Sequence, residues 1–136
     1  MARLVAPRHL SESNISTADA QKLASATVAA CQAKGYNVSA SVVDCAGLLK
    51  AFARADNAGP HTIEASHAKA FTSASAKAPT LAIMENAQKN PAAANLTYIP
   101  GFLLLGGGVP VKAGDAVIGA IGVAGAPGGH FDAQCG

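Results

Sequence analysis

The chain reads as an α/β protein of the α+β kind, with a five-stranded, mostly antiparallel sheet and helices flanking it. Three observations predict this. Ala20, Leu23, Ala24, Thr27, Val28 and Cys31 recur at helical spacing. Residues 37–43 alternate like a strand and return through Asp44-Cys45-Ala46-Gly47 as a hairpin. The stretch from Gly106 to Asp132, GGGVPVKAGDAVIGAIGVAGAPGGHFD, is nearly uncharged and punctuated by glycine. Within it Val117-Ile118 and Ala120-Ile121-Gly122-Val123 are apolar without alternation, as fully buried strands are.

Residues 1–15 are expected as an extended arm and residues 16–136 as one domain, since no internal repeat or linker divides them. Ser16-Thr17-Ala18-Asp19 supplies a hydroxyl cap and a first-turn acid for the first helix, which Gly35 ends. The hairpin's second strand runs from Leu48 to Arg54. Asp56-Asn57-Ala58-Gly59 then breaks the chain, and Pro60 opens a second helix reaching about Lys77. Pro79 stops that helix, and Thr80 is expected to cap a shorter third one through Met84 to Lys89. A loop follows from Asn90 to about Tyr98. The last three strands are expected at Phe102 to Leu105, Val109 to Lys112 and Ala116 to Ala124, with a closing helix from near Gly129.

Composition excludes several function classes. Half of the 136 residues are apolar but only 4% are aromatic, so the elements should pack closely through small side chains. Charged residues make up 13%, well under the roughly 25% of ordinary soluble domains, which points to surface hidden in a homo-oligomer. The net charge is +2 and the ten basic residues are scattered, with no stripe for nucleic acid. No apolar stretch reaches membrane-spanning length. The first residues, MARLVAPRHLSESN, are basic without an apolar core and are not an intact signal peptide. The expected compartment is therefore the cytoplasm, or the exterior if a leader has been removed. Cys31, Cys45 and Cys135 are odd in number and form no C-x-x-C pair, so two buried thiols and one near a frayed end are expected rather than a disulfide or zinc framework.

The richest cluster of donor side chains is His61, Glu64 and His67 on the second helix. Each neighbouring pair is three residues apart and shares a face, whereas His61 and His67 diverge by about 120°. The two histidines cannot clamp one metal, and no metal site built from protein ligands alone is expected. Either can serve as a single axial haem ligand or as a plain surface histidine. Arg54 and Lys69 follow apolar segments and are costly to bury unpaired, so each needs an anion. That anion is a ligand carboxylate or an internal partner, such as Asp56 or Asp115 for Arg54. Gly107, Gly108 and Gly128 offer backbone amides for an anion nest, and His130 stands beside them at the exit of the last strand. His9 lies in the arm, and Met84 reads as core packing. No P-loop, dinucleotide fingerprint or nucleophile elbow is present.

Several motifs together resemble the GlcG/HbpS family, the haem-degrading or PduO C-terminal-like domain. They are Arg54-Ala55-Asp56-Asn57-Ala58, Ala68-Lys69-Ala70 and Pro79-Thr80, then Gly107-Gly108-Val109-Pro110-Val111 and Val117 through Gly125. The resemblance spans roughly residues 16–135, with Asn57 where the family usually has glycine. The chain ends at Gly136, near the point where the family's closing helix continues. The resemblance implies a profilin-like sandwich, homo-oligomers and, for several members, haem or another porphyrin-like ligand. Three functions follow as expectations. The first is binding of haem or a related tetrapyrrole. The second is acid–base catalysis on a small carboxylate-bearing metabolite, held by Arg54 or Lys69 and served by His61, Glu64 or His67. The third is a non-catalytic accessory subunit.

Overall fold

The computed structural model of the chain describes residues 5–135; the first four residues of the expected arm and Gly136 lie outside them. The elements run α1 (Thr17–Ala33), β1 (Ser39–Asp44), β2 (Leu49–Arg54), α2 (His61–Ala76) and α3 (Thr80–Lys89). A 3-10 helix (Pro91–Tyr98), β3 (Gly108–Ala113), β4 (Ala116–Ala124) and α4 (Gly129–Cys135) complete them. The strands form one antiparallel sheet in the order β2-β1-β4-β3. None of the helices among the described residues is long and apolar enough to cross a membrane.

Local chemistry explains the element boundaries. The Ser16 hydroxyl accepts from the Asp19 N–H at 3.1 Å and caps α1. Asn57 adopts φ 68°, a conformation open to glycine and asparagine, so its replacement of glycine leaves the turn intact. Lys77 ends α2 in the left-handed region, with φ 54°.

The two faces of the sheet are covered differently. On one face Ala20, Ala24 and Cys31 of α1 pack with Ala40, Val42, Ala51, Ile121 and Val123. On the other, α2 lies across β1, β4 and β3 but not over the edge strand β2. That seam is partly polar: Ser39 pairs with Thr62 at 2.8 Å and Ser41 with Ser66 at 2.7 Å. Each buried hydroxyl therefore has a partner, as burial requires. Ile15, at the end of the arm, is buried and donates its N–H to the Ile118 carbonyl at 2.9 Å.

Four expectations are corrected here. The sheet has four strands, not five, because residues 102–105 stay irregular beside α2 and α3. Their backbone groups are taken by side chains: the Leu103 N–H donates to Thr72 Oγ1 at 2.9 Å, and the Leu105 carbonyl accepts from Thr80 Oγ1 at 2.7 Å. The expected loop after Asn90 is wound into the 3-10 helix, started by Asn90 Oδ1 accepting from the Ala92 N–H. Thr80 is inside α3 rather than its cap, because its hydroxyl also accepts from the Gly108 N–H at 2.7 Å and so pins the start of β3. Cys31 and Cys135, 104 residues apart in sequence, form a disulfide, which leaves Cys45 as the free thiol. Folding brings the end of α1 beside α4, a proximity that no cysteine spacing encodes.

The role of Thr80 yields a first test. Thr80→Val keeps the shape but leaves the buried Gly108 N–H without its acceptor. It is expected to lower unfolding free energy by about 1–3 kcal/mol in urea titration, and Thr80→Ser should restore most of that.

Candidate functional site

Helix α2 carries the candidate chemistry because its two flanks open onto two separate clefts. The first is a groove of about 610 Å³ between α2 and the uncovered face of β2, lined by Ser41, Leu49, Phe52, Ile63, Glu64 and His67. It exists because α2 stops short of the edge strand. The β1–β2 register sets Phe52 opposite Ser41 and Arg54 opposite Ser39, on the face toward α2. Leu49, Phe52 and Ile63 consequently remain solvent-exposed large apolar side chains.

The second cleft, of about 410 Å³, lies on the other flank of α2. His61, Ala65 and Lys69 form one wall; Gly125, Gly128, Gly129 and Asp132 form the other. Thus the 120° divergence expected between His61 and His67 puts them in different clefts, while Glu64 and His67 share one.

Lys69 sits at the base of the second cleft, 1% exposed. Its Nζ donates to the Val123 carbonyl at 2.9 Å and to Asp132 Oδ2 at 3.1 Å. Asp132 Oδ1 in turn accepts the Ala126 N–H at 2.8 Å. Burial pushes the Lys69 ammonium below the usual lysine range and the Asp132 carboxyl above the usual carboxylate range; their mutual attraction opposes both shifts without cancelling them. The anion that Lys69 requires is therefore a protein carboxylate.

Asp132, the partner of Lys69, was not singled out by the sequence. The only signal was an acid three residues past a glycine pair, in a helix with no visible partner. Phe52 and Ile63 were missed as groove walls for a different reason. The alternation of β2 places Phe52 on a face, but only the packing of α2 leaves that face open.

The remaining candidates are placed as follows. Arg54 donates through Nη1 to the Ala58 carbonyl at 2.8 Å, closing the turn before α2, and not to Asp56 or Asp115, the internal partners expected as one alternative. Gly107 and Gly108 are buried packing positions: a Cβ at Gly107 would lie 3.0 Å from both Asp132 Cβ and Lys69 Cδ, and one at Gly108 would strike the Lys69 carbonyl. Gly128 lines the second cleft, whereas His130 is exposed on α4 and is not among its lining residues. Met84 borders a smaller cavity of about 250 Å³ between α3 and the 3-10 helix. His9 is exposed in the arm. No cluster of three metal-ligating side chains exists among the described residues.

The family model of HbpS-like haem-degrading proteins matches residues 15–136. The chain belongs to that family. This HbpS-like chain is 38% identical to a double mutant of HbpS from Streptomyces reticuli, with a TM-score of 0.87 over 99% of this chain and 92% of that one. A second crystal structure of HbpS is 40% identical, also with a TM-score of 0.87, over 96% and 93% of the two chains. A PduOC–heme complex shares the fold at 23% identity, with a TM-score of 0.78 over 90% and 89%. No curated protein sequence matches the chain.

Proposed function

We propose that this HbpS-like chain binds haem or a related tetrapyrrole in the groove between α2 and β2, where His67 would hold the iron. One observation carries the reading: the larger cleft combines apolar walls from Leu49, Phe52 and Ile63 with a single imidazole, His67. A flat apolar macrocycle with one iron needs that combination, and about 610 Å³ is within the usual range of ligand pockets. Haem, once bound, supplies the redox and ligand-binding chemistry of its iron; the chain supplies the donor, the apolar walls and a carboxylate, Glu64, one turn from the ligand.

Arg54 projects from the same face of β2 as Phe52, two residues beyond it. Among the described residues its hydrogen bond runs from Nη1 to the Ala58 carbonyl. In this reading its remaining N–H groups take a propionate carboxylate. The family's description as haem-degrading supports the ligand class. The low charge of the chain and the exposure of Leu48, Leu49 and Phe52 support a homo-oligomer. Acid–base catalysis on a small carboxylate is less well supported, because Lys69 already holds Asp132.

Haemin titration followed by absorbance tests the reading. The expected result is a saturable, sharpened Soret band that is lost or shifted in His67→Ala and unchanged in His61→Ala. Identical bands in both variants, or adsorption without saturation, would falsify it.

A further inference from the structure

Two of the attachments that hold helix α4 at the end of the sheet differ in chemistry. Cys135 is joined to Cys31 at the end of α1, with Cα atoms 5.3 Å apart. Three residues earlier, nearly one helical turn, Asp132 is bound to Lys69 of α2. Asp132, with Gly128 and Gly129 just before it, forms the wall of the smaller cleft beside Lys69. Gly129 packs directly on the backbone of Gly106, so the wall also depends on a close glycine-to-glycine contact. A helix of seven residues does not persist in water without tertiary support. The disulfide closes a loop of 104 residues and is the covalent part of that support.

We propose that Cys31 and Cys135 are a thiol–disulfide redox site, and that their reduction releases α4 and uncovers the Lys69 ammonium. Cys31 is fully buried and Cys135 is 7% exposed on the short helix, so Cys135 is the sulfur that an incoming thiolate reaches when α4 frays. A dithiol donor attacks Cys135 Sγ, the S–S bond breaks, and Cys31 leaves as a thiolate that takes up a proton. The donor's second thiol then attacks the mixed disulfide, freeing Cys135 as a thiol. Two electrons and two protons pass from the donor, which ends as its own disulfide.

Cys45 does not compete for this exchange. Its thiol donates to the Val117 carbonyl at 3.0 Å, and burial followed by the nearby Glu12 and Asp44 charges pushes its pKa up. Once α4 departs, Asp132 goes with it, and Lys69 is left with the Val123 carbonyl alone. The oxidised chain is thus closed over a neutralised lysine, and the reduced chain presents an uncompensated one.

The test uses the full chain, oxidised or treated with dithiothreitol, then pulsed with an amine-acylating reagent and mapped by mass spectrometry. Thiols counted in denaturant should rise from one to three on reduction, as one disulfide among three cysteines requires. Acylation of Lys69 should quicken by about tenfold or more, the scale of a local opening. Faster amide exchange should be confined to residues 125–135. Cys31→Ser and Cys135→Ser should each reproduce the reduced behaviour without reductant. Three thiols before reduction, unchanged Lys69 labelling, or loss of protection throughout β1 and β4 would each overturn the proposal; the last would make the disulfide a staple of the whole fold.

Discussion

Lys69→Ala is expected to cost about 3–5 kcal/mol of unfolding free energy, because it strands the Asp132 carboxylate in the interior. Both groups are almost wholly buried, with side-chain exposures of 2% and 4%. Burial disfavours the charge on each, and neither partner's attraction overcomes that penalty. A pair of this kind is costly to break and much less costly to remove. Lys69→Met combined with Asp132→Asn discharges both positions while leaving an Oδ1 acceptor for the Ala126 N–H. The double variant should recover about 2 kcal/mol of the single variant's loss, within the usual range of couplings for contacting residues. Urea titration of Lys69→Met, Asp132→Asn and the double variant measures this coupling. Additive losses would mean that the pair contributes nothing as a pair.

Gly122→Ala should be as damaging, although it adds one methyl group. Gly122 is in β4, paired with Ser41 of β1 and Gly108 of β3, with α2 packed over it. An added Cβ would collide with the Ser66 carbonyl oxygen and lie 2.6 Å from the Ala70 backbone nitrogen. Those atoms belong to the helix backbone, so relief requires α2 to move off the sheet. The expected loss is about 3 kcal/mol, at the upper end of overpacking costs. Gly114→Ala is the control. Its φ of +61° gives a backbone penalty of about 1–2 kcal/mol, but nothing lies within 4 Å of the new Cβ. Equal losses at the two positions would contradict the close approach of α2 and β4.

Gly122 also shows what the sequence made legible. Glycines inside an apolar strand signal a near neighbour, and Gly119 and Gly122 have one in the Val43 carbonyl and in α2. The cap of α1 and the hairpin were readable because Ser16 and the alternation of residues 37–43 act locally. The apolar run 102–105 misled because its backbone partners, Thr72 and Thr80, lie about 25 or more residues away. Lys69 was recognisable as a cation needing an anion, but Asp132 lies 63 positions further on and shares no local pattern with it. The disulfide was hidden for the same reason, since an odd cysteine count does not say which two thiols the fold brings together. The divergence of His61 and His67 followed from helix geometry alone. Which of them faces an apolar groove depended on α2 leaving β2 bare.

A crystal structure of the full chain grown with haemin would show which cleft takes the tetrapyrrole. Tetrapyrrole density is expected between α2 and β2, against Leu49 and Phe52, with His67 on the iron and Arg54 near a propionate. Density in the cleft walled by Gly125, Gly128 and Gly129, or iron held by His61, contradicts that expectation.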